Sequence, residues 1–347
     1  MHELAQRAGS CNQQNGDCGP NPILMRFLHH AAARHWRAGI IAAVIGSATL
    51  PILLACHRDM HEAELRISGR SFVMRTASGR LEYAVSGRGP AVLMIHGTGG
   101  GFDQGLAFTE GLVRRGYQVI APSRFGYLRS DYPDDPSSER QADALVELLD
   151  KLGVQKIAVA GGSAGALSAA QLALRHPERC AALILVVPAA NVRGSDPVAM
   201  TPVQEFLVRQ MASSDFLFWT GLKLRHADMV GTLLATDPAV VARGSPAEQL
   251  RVNRILREIL PVSARTRGML NDARLAGHPA RMEFRDIRAP TLVISVEDDR
   301  FGTASTARDI AAAVPHSRLV IYPTGGHVWV GHDEELWSEV DRFLGST

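Results

Sequence analysis

Gly161-Gly162-Ser163-Ala164-Gly165 constrains this chain more than any other stretch. An apolar run, Lys156–Ala160, precedes it, and a helix-forming run, Ala164–Arg175, follows. A serine on so tight a strand-to-helix turn leaves no room for side chains two positions before or after it. Glycine at both places lets the backbone bend and lifts the hydroxyl clear of the sheet edge. The pattern therefore predicts an α/β fold with a serine displayed at one strand end.

The rest of the chain is consistent with that reading. Ala91–Ile95, Tyr117–Ala121, Lys156–Ala160 and Ala181–Val187 are apolar runs rather than alternating ones, which suits parallel strands buried on both faces. Thr291–Val296 and Arg318–Tyr322 extend the set. Ser71–Thr76 and Arg80–Ser86, joined by Ala77-Ser78-Gly79, read as two short strands around a turn. Between the runs lie helical stretches. In Glu139–Leu152 the residues Ala142, Leu145, Leu148, Leu149 and Leu152 share one face, and Ser137 or Ser138 is placed to cap it. Further helices are predicted over Thr303–Val314 and Glu334–Leu344.

From Asn191 to Arg288 the alternation stops. The segment reads as helices over Pro202–Ala212, Phe216–His226, Asp228–Ala235, Pro246–Leu260 and Ala264–Leu275, punctuated by Pro238, Gly244, Pro246, Pro261 and Gly277. A helical insertion between two strands of one sheet is expected to cover the strand ends as a cap. The expected division is an N-terminal tail plus signal or anchor segment over 1–56, a polar linker over 57–70, an α/β core over 71–190 and 289–347, and a helical cap over 191–288.

Met1–Pro22 is polar and aperiodic, and Met25 offers an alternative start. Arg26, Arg34 and Arg37 then precede an apolar run, Gly39–Ala55, in the order of a secretory signal. The run is short for a membrane span, which needs about 20 apolar residues. It ends Leu53-Leu54-Ala55-Cys56, which resembles a bacterial lipoprotein cleavage site and makes Cys56 a lipidation candidate. The expectation is export to the cell envelope or attachment to a membrane through the N-terminus; an uncleaved anchor and a cytoplasmic location are the alternatives. A net charge of +2 argues against a nucleic-acid partner. Cys180, at the start of an apolar strand, reads as a small buried hydrophobe.

A serine hydroxyl needs a base within hydrogen-bond reach to act as a nucleophile. His327, in Gly325-Gly326-His327-Val328-Trp329 after the last strand, is the candidate base for Ser163. An orienting acid is expected after the preceding strand, where Asp298 and Asp299 stand side by side. The glycine-rich stretch His96-Gly97-Thr98-Gly99-Gly100-Gly101 can turn backbone N–H groups inward, and Thr98 and Ala164 are the expected donors of an oxyanion hole. A phosphate cradle is excluded, because no Gly-Lys-Ser/Thr is present.

On these residues, from about Ser71 to its C-terminus, the chain resembles the capped α/β-hydrolases, of the esterase and C–C hydrolase type. The matching positions are His96-Gly97, Gly161-x-Ser163-x-Gly165, Glu297-Asp298-Asp299-Arg300-Phe301 and Gly326-His327. The order Ser, acid, His is the one that family uses. The resemblance implies an α/β-hydrolase fold, a mostly parallel central sheet flanked by helices with a helical cap insertion. It also implies a triad of Ser163, His327 and Asp299, with Asp298 as the fallback acid. The chain departs from the family's pattern at Gly302-Thr303, where many relatives have Val-Pro, and at Tyr127 and Leu128, where small residues are usual.

The expected activity is hydrolysis of a small carboxylic ester through an acyl-enzyme, with no cofactor and no metal. C–C, amide, peptide or lactone cleavage on the same residues is the alternative, and a non-catalytic binding module is the alternative of another class. Phe206, Phe218, Trp219 and Trp329 either line an apolar substrate pocket or pack helices on one another; both readings stand. Arg124 and Arg129 could meet a substrate carboxylate, and Asp103 and Gln104 read as a surface loop near the site entrance.

Overall fold

In a computed structural model of the protein, the described residues are 36, 49–190, 209–277 and 280–346. The chain forms two units, Met1–Arg58 and Asp59–Thr347. In the first, residues 49–58 are helical, and Leu50, Ile52, Leu53 and Leu54 are exposed. Most of the anticipated signal or anchor segment lies outside the described residues. No helix among the described residues is long and apolar enough to cross a membrane.

The second unit is built on eight strands: β1 (Phe72–Thr76), β2 (Gly79–Ser86), β3 (Ala91–Ile95), β4 (Gln118–Pro122), β5 (Ile157–Gly162), β6 (Cys180–Val186), β7 (Thr291–Val296) and β8 (Ser317–Tyr322). They form one sheet in the order β1-β2-β4-β3-β5-β6-β7-β8. The β1–β2 and β2–β4 pairs are antiparallel; all the others are parallel. The predicted hairpin turns at Gly79, whose φ of 104° suits glycine.

The apolar strands bury both faces, and side-chain alternation splits the core in two. Leu93, Ile95, Val159, Leu183 and Leu185 face the helices Ser138–Lys151 and Gly165–Arg175. Val92, Met94, Ala160, Ile184 and Ile294 face the helix Asp333–Leu344 through Leu336, Trp337 and Val340. The helix Ser138–Lys151 buries Ala142, Leu145, Leu148 and Leu149, as its periodicity requires. Its cap is Ser137, whose hydroxyl accepts the Arg140 N–H.

The insertion between β6 and β7 is helical where described: Asp215–Leu224, His226–Leu233, Pro238–Arg243, Pro246–Glu258 and Thr266–Gly277. The predicted helix over Pro202–Ala212 lies mostly outside the described residues. Pro238–Arg243 was not expected, because Pro238 reads as a break. Here it opens a helix instead: Asp237 caps it by accepting the Ala239 N–H, and proline at the first position has no N–H to lose.

Two local expectations fail. The polar linker expected over 57–70 is helical through residue 67. In the second unit its inward stripe is Met60, Ala63 and Ile67, a spacing hidden among charged residues, and Ile67 packs on the core. Arg66 ties it down by donating to the Glu258 and Leu260 carbonyls at 3.1 and 2.5 Å. Asp103 and Gln104 are not in a surface loop. Both are buried at the start of the helix Phe102–Phe108.

Candidate active site

The sharp turn after β5 carries Ser163 at φ 49°, a left-handed conformation rare for a residue with a side chain. Its flanking glycines are required by contact. A Cβ on Gly165 would lie 2.3 and 2.5 Å from the carbonyl oxygens of Ile95 and His96, and one on Gly161 would lie 2.7 Å from the Ala169 Cβ. The helix beyond the serine can therefore approach β3 only with glycine at the crossing. Ser163 N–H is held by the Val186 carbonyl at 2.9 Å.

His327 sits in a single turn, Gly326–Val328, after β8, and Asp299 in the turn after β7. Both positions, like that of Ser163, lie beyond the carboxyl ends of parallel strands, where open α/β sheets collect reactive groups. His327 Nε2 is 2.9 Å from Ser163 Oγ, and His327 Nδ1 is 2.8 Å from Asp299 Oδ2. Asp299 Oδ1 accepts the Phe301 N–H at 2.9 Å, and Oδ2 also accepts the Thr303 hydroxyl. Burial alone would raise the pKa of Asp299, but the hydrogen bonds and charge of His327, with the Thr303 and Phe301 donors, hold it below the usual carboxylate range. Asp298 turns elsewhere: its Oδ1 accepts the Gly326 N–H at 2.7 Å and braces the histidine turn. Phe301, more than half exposed, lies perpendicular to the His327 ring with their centroids 4.9 Å apart.

The glycine loop borders the serine. A Cβ on Gly97 would stand 3.2 Å from the Ser163 Cβ. Gln104 Oε1 accepts the Gly97 N–H at 3.1 Å. His96 is fully buried, its Nδ1 on the Gly97 carbonyl at 2.7 Å and its Nε2 accepting the Arg124 N–H at 2.9 Å. Burial, with the Arg124 charge beside it, holds its pKa well below the ordinary histidine value. It is therefore a neutral structural post. The N–H groups of Thr98 and Ala164 make no hydrogen bond among the described residues. Such an arrangement can move a proton from hydroxyl to imidazole and offer two amides to a developing negative charge.

Three of the four aromatic candidates, Phe218, Trp219 and Trp329, are buried. Phe218 belongs to the helix Asp215–Leu224, and Trp219 donates to Asp59 Oδ2 at 2.9 Å. Trp329 donates to Asp333 Oδ1 at 3.1 Å and meets Phe108 edge-on, which anchors the last helix. Phe206 lies outside the described residues. Arg124 is buried and bonded to Asp272, so it is not open to a substrate carboxylate; Arg129, half exposed, is bonded to Glu82. Thr303 is a site neighbour that sequence reasoning missed; Gln104, expected near the site entrance, does border the glycine loop, but it is buried in a helix, and nothing local marks that burial. Among the described residues no cluster of three or more His, Cys, Asp or Glu side chains is arranged to hold a metal.

A model of the alpha/beta hydrolase fold family matches residues 90–330. The chain is 26% identical over 273 residues to a 2-hydroxy-6-oxo-6-phenylhexa-2,4-dienoate hydrolase of Burkholderia cepacia, covering 76% of this chain and 88% of that one. The same identity and coverage relate it to a 2-hydroxy-6-oxononadienedioate/2-hydroxy-6-oxononatrienedioate hydrolase of Comamonas testosteroni. Among solved structures, an alpha/beta hydrolase fold protein from Nakamurella multipartita superposes with a TM-score of 0.63 at 27% identity, over 79% of this chain and 98% of that one. The fold, the family match and the hydrolase relatives agree: this chain belongs to the alpha/beta hydrolase family and is a hydrolase.

Proposed function

We propose that the chain is a serine hydrolase cleaving a small carboxylic ester through an acyl-enzyme. One observation carries the reading: the unbroken line from Ser163 Oγ to His327 Nε2 at 2.9 Å and from His327 Nδ1 to Asp299 Oδ2 at 2.8 Å. In the first half-reaction His327 takes the hydroxyl proton as Ser163 Oγ bonds to the acyl carbon. Asp299, ionised and buried, keeps the ring proton on Nδ1 and stabilises the imidazolium. The N–H groups of Thr98 and Ala164 hold the oxyanion, each worth about 3 kcal/mol of barrier. His327 then returns its proton to the leaving alcohol, and water releases the acid in a second pass. The helical insertion serves as a cap over the strand ends.

A second reading, C–C cleavage, is favoured by the names of the two relatives above. Those substrates are carboxylates, and a site for them needs a cation to receive the charge. Arg124 and Arg265, buried beside the loops at the strand ends, are bonded to Asp272 and Asp103 respectively. That commitment supports a neutral ester. Attachment to a membrane through the N-terminus, by lipidation of Cys56 or by a retained anchor, completes the proposal; it is supported by the basic flank and by the exposed Leu50, Ile52, Leu53 and Leu54.

The test is labelling with a fluorophosphonate, followed by a panel of p-nitrophenyl esters and a vinylogous dienoate. Labelling of wild type and none of Ser163→Ala, with ester turnover, is expected. No labelling of wild type would refute a serine nucleophile and favour a binding module. Turnover of the dienoate with every ester refused would move the assignment to C–C cleavage.

A further inference from the structure

Two buried ion pairs, each joining the helical insertion to the sheet unit, close on the glycine loop that follows β3. In the first, the Arg124 guanidinium grips the Asp272 carboxylate in a fork, both bonds 2.6 Å. Both side chains are buried. Asp272 comes from the insertion helix Thr266–Gly277, Arg124 from the loop after β4. The carboxylate does more than neutralise the arginine. Its Oδ2 accepts the Tyr127 hydroxyl at 2.5 Å and the Thr98 hydroxyl at 3.0 Å. The Tyr127 oxygen in turn accepts the Gly99 N–H at 3.3 Å. Arg124 Nε reaches back to the His96 carbonyl at 2.9 Å.

In the second pair Arg265, fully buried, bonds Asp103 Oδ2 at 2.7 Å and donates to the Gly100 carbonyl and, at 3.0 Å, to the Ile259 carbonyl. His96, Thr98, Gly99 and Gly100 are thus each held, directly or through one hydroxyl, by these pairs.

Burying two ion pairs is a poor way to add stability, because desolvation consumes much of the attraction and apolar side chains of similar volume often do as well. Bidentate pairs do fix geometry. The geometry fixed here is that of a loop whose glycines leave it otherwise free to rotate. We propose that Asp272 is a positioning residue for the oxyanion loop: through the Thr98 and Tyr127 hydroxyls it sets the peptide planes on either side of Thr98 and keeps the Thr98 N–H aimed at the substrate oxygen. It follows that docking of the cap and completion of the oxyanion hole are one event. A cap lifted from the sheet removes Asp272 and leaves the loop without its brace. The inference rests on the acyl-transfer reading above.

The experiment uses the full chain and an ester that wild type turns over. Thr98→Val keeps the shape and the backbone amide but loses the bond to Asp272. A misaimed donor is expected to lower kcat by about 10- to 100-fold with KM within about threefold. Thr98→Ser restores the hydroxyl and is expected to restore kcat, and the melting temperature of Thr98→Val is expected to match wild type. Tyr127→Phe should lower kcat in the same sense, by less. Asp272→Asn is expected to lower kcat as Thr98→Val does; should it fail to fold, the threonine pair answers the question without it. Unchanged kcat in Thr98→Val, or a loss that Thr98→Ser does not reverse, overturns the proposal. Wild-type turnover that Ser163→Ala abolishes upholds the acyl-transfer reading on its own, so those results would strike the positioning role alone. An inactive wild type overturns both.

Discussion

Replacing Asp299 by asparagine isolates what the carboxylate does for the histidine. Asp299 uses Oδ2 for His327 Nδ1 at 2.8 Å and Oδ1 for the Phe301 N–H at 2.9 Å. Asparagine has the same shape, but only one of its terminal atoms accepts. With its oxygen on the Phe301 N–H, its amino group faces the imidazole. Nδ1 must then accept, the ring proton moves to Nε2, and Nε2 points that proton at Ser163 Oγ instead of receiving one. A wrong tautomer of this kind lowers kcat about 10⁴-fold. At about 1.4 kcal/mol per tenfold, that is a barrier higher by about 5.5 kcal/mol. The opposite amide orientation leaves the Phe301 N–H facing a donor, at about 1–3 kcal/mol of stability. Asp298→Asn is the control. Its oxygen can keep the Gly326 N–H now held at 2.7 Å, so the loss should stay below about tenfold. Steady-state ester hydrolysis near pH 7.5 on wild type and both variants, with thermal melts alongside, decides the matter. An Asp299→Asn enzyme within tenfold of wild type would refute the reasoning, as would an Asp298→Asn enzyme equally impaired.

The glycines of the serine turn should differ sharply in tolerance. Gly165→Ala drives a Cβ to 2.3 Å from the Ile95 carbonyl, and a loss of about 3 kcal/mol or more in urea unfolding is expected; Gly162→Ala meets only the Met94 methyl at 3.6 Å and should stay within about 1 kcal/mol. Equal tolerance at both sites would be inconsistent with the crossing described. His96 makes stability depend on pH. The unfolded chain binds its proton near pH 6.5 and the folded chain does not, so stability is whole above that pH and falls below it, by up to about 1.4 kcal/mol per pH unit. Urea midpoints between pH 7.5 and 5.5 should fall more steeply for wild type than for His96→Gln; parallel slopes would show that His96 titrates normally.

Much of the fold could be read along the chain because its signals are local. A strand buried on both faces must be apolar throughout, and β3, β5 and β7 were legible for that reason. Gly161 and Gly165, two residues either side of Ser163, were legible because close approach there forbids any other residue. Where a local signal had two meanings, the wrong one was taken. Pro238 both ends and begins helices, and the stripe Met60, Ala63, Ile67 is too thin to stand out among charges.

Sequence alone determined the order of the strands and of the longer core helices, the serine turn, and the short list of partners for Ser163, since hydrogen-bond periodicity and steric bulk act between near neighbours. Tertiary structure decided which aspartate meets the imidazole, because Asp298 and Asp299 are chemically identical and only the path of the β7 turn aims one at His327 and the other at Gly326. It also decided that Arg124, Arg265, Asp103 and Asp272 are buried in pairs, since a charge can leave water only beside a partner that folding brings from more than a hundred residues away.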